Sequence, residues 1–256
     1  MNLGLNGKVA LVLASSRGLG QAMAVSLARE GVKVAVTGRN PEGLKKSVEL
    51  IEAAGGTALA LSWDLSDPSV IDGLVSKIEK ELGPIDILVN NTGGPPPTLA
   101  AGQDPALWQK SFNDMILSLI SITDRVLPGM RQRKWGRIIT STTSGAIAPI
   151  KNLAISNTLR AALLGWSKTL AAEVAVNVIM PGRVVTDRLR QLDEARAQRE
   201  NISYDSVVQA SLKQIPAGRY GDPQEYGDTA AFLASQNASY ITGSVIRVDG
   251  GQIQAI

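Results

Sequence analysis

The sequence predicts an α/β domain on a doubly wound, parallel, seven-stranded sheet, and three observations carry that expectation. Short β-branched, apolar runs alternate with longer amphipathic segments along the 256 residues. The short runs are nearly continuous in apolar residues rather than alternating, as a sheet covered by helices on both faces requires. A turn of small residues follows the first of them. Strand–helix alternation at this spacing favours parallel strands joined by helical crossovers. No internal repeat, low-complexity tract or linker breaks the pattern, so residues 1–256 are read as one domain.

The elements follow in order. Lys8–Leu13 reads as the first strand, and the small-residue turn leads into a helix over Gly18–Glu30. Lys33–Thr37 and Thr57–Ser62 are apolar enough for strands, with an amphipathic helix between them over Glu42–Ala54. A helix over Ser69–Leu82 precedes the strand Ile85–Asn90, and one long helix over Leu107–Arg131 precedes the strand Arg137–Ser141. A helix over Ser156–Val174 leads to the strand Val176–Met180, and a helix over Pro223–Ala234 leads to the last strand, Ser244–Val248. One junction is tight. A helix-to-strand connection takes about 2–6 residues, yet the helix ending near Val174 meets Val176-Asn177-Val178 almost directly. Either that helix ends early or residues of the natural chain are missing between Ala175 and Val176.

Composition narrows the chemistry. Hydrophobic residues at 44% and charged residues at 19% describe an ordinary globular protein. No apolar run approaches the roughly 18–20 residues that cross a bilayer, and Met1–Lys8 has no leader-like pattern, so a cytoplasmic protein without membrane partners is expected. With no Cys there are no disulfides, thiolate nucleophiles or Cys-held metals. With no His, a Ser-His-Asp triad and His-based zinc hydrolysis are excluded, and no metal site is expected. Basic residues gather in Arg131-Gln132-Arg133-Lys134 and along Arg183, Arg188, Arg190, Arg196 and Arg199. They read as a solvated helix end and a solvated loop, with attraction for an acidic substrate as the alternative. Aromatics at 4% do not interleave with them, so no nucleic-acid partner is expected.

The turn after the first strand is Ala14-Ser15-Ser16-Arg17-Gly18-Leu19-Gly20. Small residues there let the backbone reach a pyrophosphate, whose charge meets unpaired N–H groups and the helix dipole. Ala14, Ser16, Arg17, Gly18, Leu19 and Gly20 are therefore the candidate phosphate cradle. A dinucleotide-binding fold that favours NAD usually ends its second strand in Asp or Glu. This chain has Thr37-Gly38-Arg39-Asn40, with no acid. Arg39 and Arg17 suit a 2′-phosphate through charge-assisted bonds, so NADP(H) is the preferred cofactor, with NAD(H) as the second choice.

The turn resembles the Thr-Gly-x-x-x-Gly-x-Gly motif of the short-chain dehydrogenase/reductase family, with Leu13 and Ala14 in place of Thr and the first Gly. Further family marks follow in register: Asp64-Leu65, Asn90-Asn91-Thr92-Gly93, Pro181-Gly182 with Thr186, and Val248-Asp249-Gly250-Gly251. The resemblance covers essentially the whole chain and is closest to β-ketoacyl-acyl carrier protein reductases, in a divergent subgroup. It implies a Rossmann fold, hydride transfer between NADP(H) and a small-molecule carbonyl or alcohol of 3-oxoacyl type, and a homo-tetramer or dimer. The apolar stretch Ala161–Trp166 suits either such an interface or burial against the sheet. By the same resemblance Asp64 and Leu65 would meet the adenine, and Asn91 and Gly93 the adenosine ribose. Pro181, Gly182 and Thr186 would lie toward the nicotinamide, and a variable lid would occupy about residues 186–218.

The family's catalytic pattern is a Ser, a Tyr thirteen residues on, a Lys four further, and an Asn on the preceding helix. Here those positions fall on Thr143, Ser156, Arg160 and Met115. Carbonyl reduction needs a proton donor and something to stabilise the oxyanion. Thr143 keeps a polarising hydroxyl, and Ser156 keeps one that is a far weaker acid than a phenol. Arg160 keeps a charge that does not readily yield a proton. Thr143, Ser156 and Arg160 are the candidate catalytic residues. Tyr204 on the lid and Lys151 on a loop are other candidate acids, and Asp114 is expected to face solvent. A chain so substituted could also serve as a catalytically impaired, NADP(H)-binding sensor or partner subunit.

Overall fold

In the computed structural model, which describes residues 2–255, the hydrophobic runs line up as a seven-stranded sheet. The strands are β1 (Val9–Val12), β2 (Lys33–Gly38), β3 (Thr57–Ser62), β4 (Ile87–Asn90), β5 (Arg137–Ser141), β6 (Ala175–Pro181) and β7 (Val245–Val248). Their order is β3-β2-β1-β4-β5-β6-β7, and every pairing is parallel. The registers follow from the apolar runs: Ala10 lies against Val34 on one side and Ile87 on the other. β1, β4 and β5 are buried at every position, as strands with helices on both faces must be.

The helices are α1 (Gly18–Arg29), α2 (Pro41–Ala53), α3 (Ile71–Glu81), α4 (Pro105–Phe112), α5 (Ser118–Gln132), α6 (Ala154–Leu170), α7 (Asp187–Glu200), α8 (Tyr204–Leu212) and α9 (Pro223–Ala234). One apolar cluster joins a sheet face to α3, α5 and α6 through residues such as Leu88, Ile78, Ile122 and Leu163. The other joins the opposite face to α1 and α9 through Val89, Met23, Leu27, Tyr226 and Leu233. Winding reverses between β1 and β4: the chain fills β2 and β3 on one side, then crosses to β4. The carboxyl ends of these two strands therefore diverge and leave a crevice, the usual ligand site of an open α/β sheet. No helix among the described residues is long and apolar enough to cross a membrane.

At the tight junction the helix ends early, the first of the two readings: α6 stops at Leu170 and leaves Ala171–Val174 as a turn before β6. Two other expectations are corrected. The long helix is divided: a π-helical turn, Asn113–Leu117, separates α4 from α5. Such a turn inserts an extra residue into the i→i+4 ladder and is frequent at functional sites. Beyond Arg183 the arginine run after β6 is helical rather than a loop. Arg188, Arg190, Arg196 and Arg199 stand on α7, in which Arg190 with Glu194 and Arg196 with Glu200 make i,i+4 pairs. The lid segment thus contains two helices, which polar composition had hidden. The stretch Ala161–Trp166 divides by face: Leu163 is buried and Trp166 packs on the core, whereas Ala162 and Gly165 are exposed.

Candidate functional site

A cleft of about 680 Å³ opens at the carboxyl ends of the central strands, between the β1–α1 turn and the lid. The candidate cofactor residues and the three candidate catalytic residues line it, from Ala14 and Arg39 at one end to Thr143, Ser156 and Arg160 at the other.

At the β1–α1 end the backbone is held by the protein itself. Ser15 donates its N–H to the Thr37 carbonyl at 2.8 Å, and its Oγ accepts from the Thr37 N–H at 2.9 Å. Asn91 Nδ2 donates to the carbonyls of Leu13 and Ala14, both at 3.2 Å, and so pins the turn to the end of β4. The Asn91 amide nitrogen is thus engaged with the turn. A Cβ on Gly20 would stand 2.4 Å from the Ala14 carbonyl oxygen and 2.8 Å from Asn91 Nδ2, so only glycine fits. Ala14 has a φ of +47°, the left-handed region where the family pattern has glycine. The start of α1 has no side-chain cap and no acid in its first turn. Its leading N–H groups and dipole therefore remain available to an anion.

Arg17 lies on the lip of this turn, exposed. Arg39 Nη1 approaches Asp64 at 3.8 Å, an exposed pair worth about 0–1 kcal/mol. The Ser66 backbone N–H, together with its hydroxyl and Arg39, holds the Asp64 carboxyl below its ordinary value against the opposing effect of burial. Beneath the cleft, Trp63 Nε1, Thr92 Oγ1 and Thr142 Oγ1 are buried without hydrogen-bond partners. A ligand with hydroxyl or amide groups would satisfy such orphans. A Cβ on Gly93 would meet nothing within 4 Å.

The reacting end is different. Arg160, one turn beyond Ser156 on α6, is only 6% exposed. It donates to the carbonyls of Ser141 and Thr92 at 3.0 Å and of Gly93 at 3.2 Å. Burial lowers its pKa to about 10; Tyr226 opposes that shift and the charge of Arg188 adds to it. Arg160 therefore knits the ends of β4 and β5 to α6. Tyr226 is wholly buried, bonded to Ser141 Oγ at 2.9 Å and to the Ile179 carbonyl at 3.0 Å, and burial pushes its phenol up. None of the four tyrosines lines the cleft, nor does Lys151; Tyr204 stands 39% exposed at the start of α8. Thr143 Oγ1 accepts only a long bond from the Gly145 N–H, 3.4 Å, and its hydroxyl hydrogen is free to donate.

The remaining positions hold backbone. Thr186 caps α7 by accepting from the Leu189 N–H at 3.2 Å. Gly182 lets the end of β6 pass the Asp249 backbone, which a Cβ would meet at 2.6 Å. Asp114 does not simply face solvent: it lines the cleft and pairs with Lys110 at 2.6 Å, beside buried Met115 in the π turn. The i,i+4 spacing of Lys110 and Asp114 was the sequence signal for that pair. Trp63, Thr92, Thr142 and Arg188 also line the cleft and were not singled out for it. Among the described residues no group of His, Cys, Asp or Glu is arranged to hold a metal.

The family model described as Enoyl-(Acyl carrier protein) reductase matches residues 13–252. The chain belongs to the short-chain dehydrogenase/reductase family. Within that family it is 36% identical to the 3-oxoacyl-[acyl-carrier-protein] reductase FabG of Escherichia coli, over 97% of this chain and 98% of that one. It is 34% identical to the acetoacetyl-CoA reductase of Shinella zoogloeoides, over 96% and 98%. Among solved structures, L-sorbose reductase from Gluconobacter frateurii, complexed with NADPH and L-sorbose, superposes over the full length of both chains with a TM-score of 0.93 at 29% identity. The short-chain reductase frame therefore extends across the whole chain, cleft included.

Proposed function

We propose that this protein is an NADP(H)-dependent oxidoreductase that reduces a 3-oxoacyl-type carbonyl, or oxidises the corresponding alcohol. The observation that carries the reading is that a glycine cradle, two exposed arginines and a hydroxyl pair line one and the same cleft. The residues present fit a phosphorylated dinucleotide: Gly20 admits no Cβ, Gly93 faces open space, and buried hydroxyls of Thr92 and Thr142 lack partners. Gly18–Gly20 and the start of α1 would hold the pyrophosphate, and Arg17 and Arg39 the 2′-phosphate. Asp64 and Leu65 would border the adenine, and Thr186 the nicotinamide. The L-sorbose reductase complex holds NADPH in the same fold, which favours NADP(H) over NAD(H).

The bound cofactor supplies the hydride. The protein's part is to orient the carbonyl and to manage its oxygen. Thr143 Oγ1 donates to that oxygen, and Ser156 Oγ stands where the family has its phenol, passing a proton from solvent. Arg160 fixes the backbone around both and lends the positive charge of a buried guanidinium. The similarity to a 3-oxoacyl-[acyl-carrier-protein] reductase and to an acetoacetyl-CoA reductase supports a 3-oxoacyl chain as substrate, and a dimer or tetramer is the proposed assembly. The test is NADPH oxidation with a panel of 3-oxoacyl esters, diketones and quinones. Turnover with 3-oxoacyl esters is expected, and rates no higher than a heat-killed control throughout would contradict the proposal.

One observation favours a second reading. The Arg160 guanidinium is committed to three backbone carbonyls, and the site has no phenol. On this reading the protein binds NADP(H) without turnover, as a sensor or as a partner of an active relative. It predicts that NADPH raises Tm while no carbonyl is reduced.

A further inference from the structure

The arginines around the lid divide into two kinds. Arg183 pairs with Asp193, Arg190 with Glu194, and Arg196 and Arg199 with Glu200. Arg188, in the first turn of α7, has no carboxylate within 4 Å among the described residues. Its Nη2 instead donates at 3.1 Å to the carbonyl of Pro95, on the loop after β4 that forms the opposite lip of the cleft. Gly94, beside that carbonyl, lies against the guanidinium: a Cβ there would be 3.6 Å from Nη2, in ordinary van der Waals contact.

Arg188 is also crowded by charge of its own sign. Its pKa lies below the ordinary arginine value because of burial and then the charge of Arg17, and it in turn depresses Arg160. Guanidinium groups from the β1–α1 turn, from α6 and from the lid thus face one cleft. The acids that line it nearby, Asp64 and Asp187, pair with neither Arg17 nor Arg188. Mutual repulsion with no acid to offset it is relieved by an anion placed between the groups.

The base of α7 is rigid enough to aim this residue. Asp193, 1% exposed, accepts from Arg183 at 2.5 Å and from the Tyr220 hydroxyl at 2.9 Å, and Thr186 caps the turn on which Arg188 stands. Resting on the cofactor reading above, we propose that Arg188 is a phosphate clasp. It bonds the pyrophosphate of the dinucleotide from the lid side and so closes α7 over the cleft.

The test compares Arg188→Gln and Arg188→Lys with the wild type by titration calorimetry. The ligands are NADPH, 2′-phospho-ADP-ribose, which keeps the pyrophosphate, and 2′,5′-ADP, which does not. Arg188→Gln is expected to weaken the first two about tenfold, the loss of a charge-assisted contact, and to leave 2′,5′-ADP unchanged. Arg188→Lys is expected to fall between. Hydrogen exchange over residues 187–200 is expected to slow with NADPH in the wild type and not in Arg188→Gln. Unchanged NADPH affinity and lid protection in Arg188→Gln would overturn the clasp. So would unchanged NADPH affinity with a raised KM for an acidic carbonyl substrate, which would assign Arg188 to the substrate's anion. Failure of the cofactor reading itself looks different: the wild type would bind none of the three.

Discussion

The two ends of the cleft are built from the same kinds of side chain and use them in opposite ways. At the nucleotide end, backbone geometry is fixed by Ser15, Asn91 and Thr37, which leaves Arg17 and the first N–H groups of α1 free to meet a ligand. At the reacting end the strongest donor, Arg160, is itself part of the framework, bonded to the carbonyls of Ser141, Thr92 and Gly93. The difference teaches that a charged residue lining a cleft need not be available to what enters it. An arginine with three carbonyl partners is first a structural member. One with none is first a receptor.

The comparison breaks most visibly at Arg160. Arg160→Met would leave three carbonyls without a donor, at about 1–3 kcal/mol each for a buried group. A loss of about 3 kcal/mol or more is expected, read as a fall in Tm of roughly 6–12 °C. A fall no larger than that of a surface substitution would show that Arg160 is not a structural member. Next in size is Gly20→Ala, whose Cβ would collide with the Ala14 carbonyl and Asn91. About 2 kcal/mol of stability should go, a typical cost of a tight site, and NADPH binding with it. Arg17→Ala sharpens the contrast, since it removes a side chain that bonds to no other among the described residues. Its Tm should move by less than about 1 °C, while NADPH affinity falls about tenfold and NADH affinity stays put. The smallest effect belongs to Ala14→Gly. Relief of the left-handed alanine at φ +47°, less the added chain entropy of glycine, should stabilise the fold by about 0.5 kcal/mol, or 1–2 °C in Tm.

The centre of the sheet was legible because burial on both faces forces its strands into unbroken apolar runs. Lys8–Leu13 or Ile85–Asn90 can scarcely be read otherwise. The glycine turn was legible for a related reason, that only small residues let a phosphate reach the backbone. What stayed hidden depended on partners distant in sequence. Nothing around Arg160 announces its bonds to residues 92, 93 and 141, and nothing around Asn91 announces that it holds residues 13 and 14. α7 was missed because its polar faces are held by ion pairs rather than by an apolar stripe. The π turn at Met115 leaves no mark in local composition, and it turns Asp114 toward the cleft.

On the proposed function, the end of the cleft at the β1–α1 turn receives a phosphorylated dinucleotide, whatever the Arg160 end can do. Titration of the purified protein with NADPH and then NADH tests it directly. One NADPH per chain is expected, with a Kd in the micromolar range, near −8 kcal/mol, and at least tenfold tighter than NADH. A folded protein that takes up neither nucleotide would contradict the account at its base.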